Sequence, residues 1–123
     1  MGTFKDLRVW QLNQKCIRNS LDLLQSFQGS FALEHIGRQL FRAIASVGAN
    51  IAEGQDSYQG KEFSRYLDIS IRSAIESDHW ISTLLGLGQD KPELKELEQD
   101  NLETIKMLKG LKNKINDKRN QAH

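Results

Sequence analysis

Residues 31–54 decide the fold, and they read FALEHIGRQLFRAIASVGANIAEG. The large aliphatic residues of this stretch recur every three or four positions, which is the repeat of one helical face and not the alternation of a strand. Ser30 precedes the stretch as a candidate N-cap, and Gly54 closes it as a candidate C′ glycine. The spacing therefore predicts a helix over residues 31–53, with a buried face made of Ile36, Leu40, Ile44, Val47 and Ile51.

Turn signals divide the rest of the chain into three more helical segments. Breaks that contain glycine lie at residues 28–30, 54–60 and 86–92, and Gly86 or Gly88 is the candidate terminator of the third segment. Helices are predicted at residues 4–27, 60–86 and 92–117, each with its own apolar repeat. Long helices with short connections favour an all-α, antiparallel, up-down-up-down four-helix bundle that occupies residues 1–123 as a single domain.

Composition excludes several functional classes. The chain has 123 residues, 17 Lys and Arg against 16 Asp and Glu, and one cysteine, Cys16. A net charge of +1 gives no overall electrostatic attraction to nucleic acid, and a single cysteine forms neither an internal disulfide nor a CxxC metal site. No apolar run reaches the roughly 20 residues that span a bilayer, and the start of the chain lacks the apolar region of a signal peptide. We therefore expect a cytoplasmic protein that uses no membrane, metal or cofactor.

The first and third helices carry more apolar surface than one bundle requires. The third helix shows an apolar arc about twice the roughly 100° that a bundle helix needs. One explanation is that this helix is central in the bundle. The other is a subunit interface, and two different apolar patches on one subunit suit a head-to-tail contact that closes into a ring. The residues predicted to form this interface, with Trp80 as its anchor, are Leu12, Cys16, Leu23, Phe27, Ile69, Trp80 and Leu87.

Charge is unevenly distributed along the fourth helix. Residues 90–103 hold six acids and two bases, whereas residues 106–119 hold six bases and one acid. This order complements the helix macrodipole, which explains the bases as an ordinary solvated face. The other interpretation is a basic patch that contacts phosphates once oligomerisation has multiplied it. The residues of this nucleic-acid-binding hypothesis are Arg38, Arg42, Lys106, Lys109, Lys112, Lys114, Lys118 and Arg119.

Few residue patterns indicate catalysis or metal binding. Glu76 and His79 have the Glu-x-x-His spacing of di-iron bundles, but a di-iron site needs a second such motif, which the chain lacks. Arg72 and His79 are similar to the Arg-x(4–6)-His pattern of the helical HEPN ribonucleases, and they lie on one polar face. The alternative for Arg72 is a surface ladder of ion pairs at i,i+4 spacing with Asp68 and Glu76. No metal site is expected.

Several stretches of the chain resemble one known family. Residues 4–11 read FKDLRVWQ, residues 39–54 contain QLFRAIAS followed by NIAEG, and the third helix contains EFSRYL and RSAIE. These stretches are similar to the four-helix-bundle proteins encoded in the intervening sequences of bacterial 23S rRNA genes. The resemblance implies a small bundle that assembles as a ring-shaped homopentamer without known catalytic activity. A related group of bundles serves as accessory proteins to the reverse transcriptases of diversity-generating retroelements, so the resemblance implies RNA or an RNA-handling protein as the partner.

The family motif lies along the second helix and has two physical interpretations. Arg42 and Glu53 are three turns apart and cannot pair, so Arg42 needs a partner on another helix or subunit, for which Glu76 is the candidate. In the structural interpretation, Asn50 and Glu53 cap the turn between the second and third helices, and Arg42 forms an internal ion pair. In the functional one, this polar face lies at the surface or lumen of the ring and meets a ligand. The motif comprises Arg42, Ser46, Asn50, Glu53 and Gly54.

We therefore predict a non-enzymatic, oligomeric helical bundle that binds RNA or an RNA-handling protein. The two alternatives are a metal-independent ribonuclease that uses Arg72 and His79, and a pure protein–protein scaffold. The sequence assigns no catalytic residue and no cofactor under the main prediction.

Overall fold

The computed structural model describes the backbone of residues 2–57 and 60–121, and the side chains of residues 2–56 and 62–118. Its elements are a 3₁₀ turn (Phe4–Asp6) and four helices: α1 (Arg8–Ser26), α2 (Phe31–Ser57), α3 (Gly60–Gly86) and α4 (Pro92–Gln121). Each helix packs against the next one along the chain, and α1 also packs against α4. This arrangement confirms the all-α four-helix bundle. No helix in the described ranges combines the length and apolar character of a membrane span.

Local hydrogen bonds set the ends of the helices. Ser30 caps α2, because its Oγ accepts a hydrogen bond from the backbone N–H of Leu33 at 3.4 Å. After α3 the chain turns through Gly88, whose φ of +84° lies in the region that favours glycine. The N–H groups of Gly88 and of the next residue donate to carbonyls in the last turn of α3, which is the paired bonding of a Schellman motif. Ser30 as N-cap and Gly88 as terminator are therefore confirmed.

The predicted start of the first helix is wrong. α1 begins at Arg8 and not at residue 4. Thr3 and Asp6 form a capping box that starts a separate 3₁₀ turn, and Leu7 then adopts an extended backbone before α1 begins.

The predicted role of Gly54 as a helix terminator is also wrong, because α2 continues through it to Ser57. A Cβ atom at Gly54 would lie 2.8 Å from Cδ1 of Phe63 and 2.9 Å from Cβ of Tyr66. Real Cβ atoms do not approach other atoms so closely, so a side chain at this position would push α3 away from α2. Glycine is required here for the close approach of the two helices.

The core consists of two apolar clusters, one toward each end of the bundle, in which no residue is more than 9% exposed. The first cluster contains Cys16, Leu23, Phe27, Leu40, Ile44, Ile81, Leu84, Leu94 and Leu97. The second cluster contains Val9, Val47, Ile51, Leu67, Ile71, Ala74 and Leu108.

A layer of buried polar side chains separates the two clusters. The Nδ2 atom of Asn13 donates to the carbonyl of Ile44 in α2 at 3.0 Å, and the Nδ2 atom of Asn101 donates to the carbonyl of Ala74 in α3 at 2.9 Å. Ser70 likewise donates to a carbonyl of α2 at 3.0 Å. Since a buried polar group must keep its partner, these bonds between helices fix the axial register of the bundle.

The structure corrects the predicted subunit interface. Cys16, Leu23 and Phe27 belong to the first cluster and are only 1–2% exposed within the single chain. α1 packs against both α2 and α4, and a helix with two neighbours buries a wider apolar arc than a helix with one. For these three residues the interface prediction is therefore wrong. Of the other four, Leu12, Ile69 and Trp80 are half-buried, and Leu87 is 55% exposed.

Candidate functional site

The family motif on α2 faces α3 and joins the two helices through an ion pair. Nη2 of Arg42 lies 2.8 Å from Oε2 of Glu76, which confirms the predicted partner. The same carboxylate oxygen accepts a hydrogen bond from the indole N–H of Trp80 at 3.1 Å. Arg42 also donates to the side-chain oxygen of Gln39 at 3.3 Å. Four polar groups, two from each helix, are thus joined around this ion pair.

One turn further along α2, the motif continues as a chain of hydroxyl and amide groups. The hydroxyl oxygens of Ser46 and Ser73 lie 3.1 Å apart across the two helices. The Nδ2 atom of Asn50 donates to the carbonyl of Ser46 at 2.8 Å and to its hydroxyl at 3.2 Å. Asn50 therefore does not cap the turn between α2 and α3, and Glu53 stands exposed on a helix that continues beyond it. We call this group the α2–α3 seam; it contains Arg42, Ser46, Asn50, Ser73, Glu76 and Trp80.

The seam holds the fold together and has little chemistry to offer a substrate. Its carboxylate is bound to two donors, and its serine hydroxyls are bonded to each other without a basic group to activate them. The Arg42 side chain is 62% exposed, so part of its guanidinium still faces solvent. The motif therefore serves mainly to hold α2 against α3.

The structure does not bring the residues of the ribonuclease alternative together. Arg72 and His79 are both exposed on α3, and they lie seven positions apart, which is two turns or about 10 Å along the helix axis. The imidazole of His79 instead lies edge-on to the indole of Trp80, with ring centroids 4.7 Å apart. Among the described residues, no three His, Cys, Asp or Glu side chains form a group that could hold a metal ion.

Three of the residues predicted to bind nucleic acid are paired with acids of the same chain. Nη2 of Arg38 lies 2.7 Å from Oε1 of Glu34, and Arg42 is bound within the seam. Lys112 forms an ion pair with Asp68 that joins α4 to α3. The side chain of Arg119 lies outside the described residues. Four predicted bases are exposed without an ion pair in the described part of the chain, namely Lys106, Lys109, Lys114 and Lys118.

An ion pair between α1 and α4 escaped the sequence reasoning. Nζ of Lys15 lies 2.8 Å from Glu96 and 3.0 Å from Asp100. The hydrogen bond to Glu96, and to a smaller extent the one to Asp100, raises the pKa of Lys15 above its ordinary value. No sequence signal could have found this contact, because more than 80 residues separate the partners along the chain.

Cys16 is predicted to be chemically inert in the folded protein. Burial raises the pKa of its thiol to about 12, and the negative charge of Asp100 acts in the same direction. Because the thiolate is the reactive form, we expect a disulfide reagent such as DTNB to label native protein very slowly at about pH 8 and guanidinium-unfolded protein rapidly. Equal labelling rates for the native and unfolded chains would contradict the burial of Cys16.

Several large apolar side chains remain exposed on the single chain. The exposed fraction is 90% for Phe31, 55% for Leu87, 51% for Ile75, 50% for Leu102 and 40% for Leu21. Ile75 and Leu102 lie at the same level of the bundle, since the residues just before them form the Asn101–Ala74 hydrogen bond. The apolar repeats predicted from the sequence do not include Phe31 or Leu102, although Phe31 stands out as an aromatic residue directly after the N-cap Ser30.

Comparison with known proteins agrees with the resemblance seen in the sequence. A family model described as 23S rRNA-intervening sequence protein matches residues 5–110. Among solved structures, a protein of unknown function from the S23 ribosomal protein family of Bacteroides thetaiotaomicron is similar in fold, with a TM-score of 0.76 and 20% sequence identity over 84% of this chain and 96% of that one. A search of curated proteins finds no match. Because the family model covers most of its length, the chain belongs to the 23S rRNA-intervening sequence protein family.

Proposed function

We propose that this chain is a non-catalytic subunit that associates with copies of itself. The observation that supports the proposal is the set of large apolar side chains, led by Phe31 at 90% exposure, that the folded chain leaves in contact with water. Removing apolar surface from water is favourable, so exposed side chains of this kind favour association. The polar groups of the family motif, by contrast, are bonded to one another in the α2–α3 seam.

Light scattering on the eluate of a size-exclusion column tests this proposal. The chain has a mass of 14.1 kDa, and we expect the wild-type protein at micromolar concentration to elute with a multiple of that mass. The family resemblance favours five copies. A single species of 14.1 kDa at all concentrations would refute self-association.

RNA binding is the second candidate function, and the exposed bases of α4 favour it. Lys106, Lys109, Lys114 and Lys118 have no acidic partner in the described part of the chain, so their charges are available to phosphates. Oligomerisation would repeat this group in every subunit and raise the local positive potential. The overall charge of +1 limits this attraction to the surface around those lysines.

Replacing these four lysines by glutamine should weaken binding to a single-stranded RNA oligonucleotide. Each lost phosphate contact lowers the slope of log K against log salt by about 0.7, so the slope should fall by up to about 3. The matched control is Lys112→Gln on the same helix, which removes a lysine already paired with Asp68 and should leave the slope nearly unchanged. An unchanged slope in the fourfold variant would contradict RNA binding through α4.

The same experiment separates the binding function from the ribonuclease alternative. The RNA should remain intact during incubation with the wild-type protein. Cleavage that disappears in His79→Ala would favour the enzyme and contradict a non-catalytic role.

A further inference from the structure

Phe31 is the most exposed large apolar residue described in this chain, and the residues that the structure describes around it offer it no cover. It is the first residue of α2, and it is 90% exposed. The shallow depression beside it is lined by Glu34, His35 and Arg38, which are all polar. Moving an exposed aromatic ring from water into an apolar groove is therefore favourable.

An apolar groove lies where the start of α1 meets the second half of α4. Leu7 and Val9 line it from one side, Met107 and Leu111 line it from the other, and Asp6 and Arg8 stand at its edge. Its volume is about 250 Å³. The groove is the kind of surface that an aromatic side chain from another molecule can fill.

Phe31 cannot reach the groove of its own chain. α1 and α2 are antiparallel neighbours, and Gly48 of α2 lies beside Asn13, one turn beyond Val9 in α1. The groove is therefore at the level of the last third of α2, whereas Phe31 is at its start. Some 20 residues of helix, or about 30 Å, separate the two features along the bundle axis. Only a second copy can bring them together.

The charge of α4 favours the same pairing of opposite ends. The first half of α4, together with the turn before it, is acidic and holds six of the seven acids among residues 90–119. It lies at the same end of the bundle as Phe31, because Nζ of Lys91 donates to Oγ of Ser26, the last residue of α1, and α2 begins shortly after it. The basic half of α4 reaches the groove, and Lys114 is two turns beyond Met107. Glu96 and Asp100 are bound to Lys15, but Glu93, Glu98 and Glu103 have no ion pair in the described part of the chain.

We propose that Phe31 of one copy docks in the α1–α4 groove of a second copy, so that the acidic end of one bundle meets the basic end of the next. This inference rests on the proposed self-association and names the contact that produces it. The contact joins two different surfaces, so a pair of copies still has one free groove, on the copy that donates Phe31, and one free Phe31, on the other copy. Such a head-to-tail contact extends into a closed ring if the rotation closes, and into a filament if it does not.

Two variants that each remove one half of the contact test it by sedimentation velocity over a dilution series. Phe31→Ser removes the ring, and Met107→Glu places a charge in the groove. Each should raise the concentration at which the oligomer dissociates at least tenfold, while circular dichroism shows an unchanged helical fold. Leu21→Ser is the matched control, because it removes an exposed apolar side chain outside the predicted interface and should dissociate like the wild-type protein.

Mixing the two variants gives the sharpest result. A Met107→Glu chain keeps Phe31 and a Phe31→Ser chain keeps its groove, so one intact contact can form between them. The mixture should therefore produce dimers at concentrations where each variant alone is monomeric. Dimers that are absent from the mixture would overturn the proposed contact.

The remaining outcomes separate this inference from the proposed function. If the wild-type protein assembles and Phe31→Ser assembles equally well, the contact is wrong while self-association stands on another surface, such as that of Ile75 and Leu102. If the wild-type protein is monomeric at all concentrations, both proposals are wrong.

Discussion

Replacing Gly48 with alanine should destabilise the bundle by about 2–3 kcal/mol, although alanine is the better helix former. Gly48 lies in the middle of α2, where an added Cβ atom would come closer to Oδ1 of Asn13 than real Cβ atoms approach any neighbour. Asn13 cannot easily move away, since it is 2% exposed and its Nδ2 atom is hydrogen-bonded to the carbonyl of Ile44 at 3.0 Å. Alanine must therefore either push α1 away from α2 or break this buried hydrogen bond.

A second substitution should reverse the sign of this effect. In a chain that already carries Asn13→Ala, the space beside Gly48 is empty, and Gly48→Ala should be neutral or stabilise the fold by up to about 1 kcal/mol. Gly110→Ala is the control, because a Cβ atom added there would meet no other side chain or helix within 4 Å, and it should stabilise α4 by a similar amount. Urea unfolding followed by circular dichroism measures the free energy of unfolding of the wild-type protein, of Gly48→Ala, of Asn13→Ala, of the double variant and of Gly110→Ala. Equal stability of the wild-type and Gly48→Ala proteins would show that α1 and α2 are not in the close contact described.

Replacing Trp80 with alanine should cost about 2–4 kcal/mol of folding stability and leave the mass of the native species unchanged. The indole packs against the first core cluster, and its N–H is bonded to Glu76 within the seam. The sequence interpretation of Trp80 as the anchor of a subunit interface leads to the opposite result, a smaller species with an intact fold. Trp80→Phe keeps part of the packing but loses the N–H donor and one of the two fused rings, so it should cost less than Trp80→Ala, about 1–2 kcal/mol.

Denaturant unfolding and sedimentation of the same variant distinguish the two interpretations of Trp80. A lower unfolding midpoint at an unchanged native mass places the residue in the core of its own chain. A lower mass at an unchanged midpoint would place it between subunits and contradict the packing described here.

The fold was predictable because the residues of each helix suffice to predict that helix. The repeat of apolar residues in one helix is a local property, and the turn at Gly88 follows from local backbone geometry. The Arg42–Glu76 pair could also be anticipated, because each residue is a charge on the polar side of its helix and needs an opposite charge from a neighbour. Predictions of this kind require only that α2 and α3 be adjacent.

The width of an apolar arc does not reveal what covers it. Cys16, Leu23 and Phe27 look alike in the sequence whether the neighbour is α4 of the same chain or another subunit. Gly54 is ambiguous for a related reason, since glycine both ends helices and lets helices approach closely. These choices depend on three-dimensional packing, so the sequence could name the residues and not their roles.

Native mass spectrometry of the wild-type protein tests self-association most directly, because it counts the subunits in each species. Self-association predicts a main species at an integer multiple of 14.1 kDa, and the family resemblance favours a multiple of five. A spectrum that shows only the 14.1 kDa chain at micromolar concentration would contradict it.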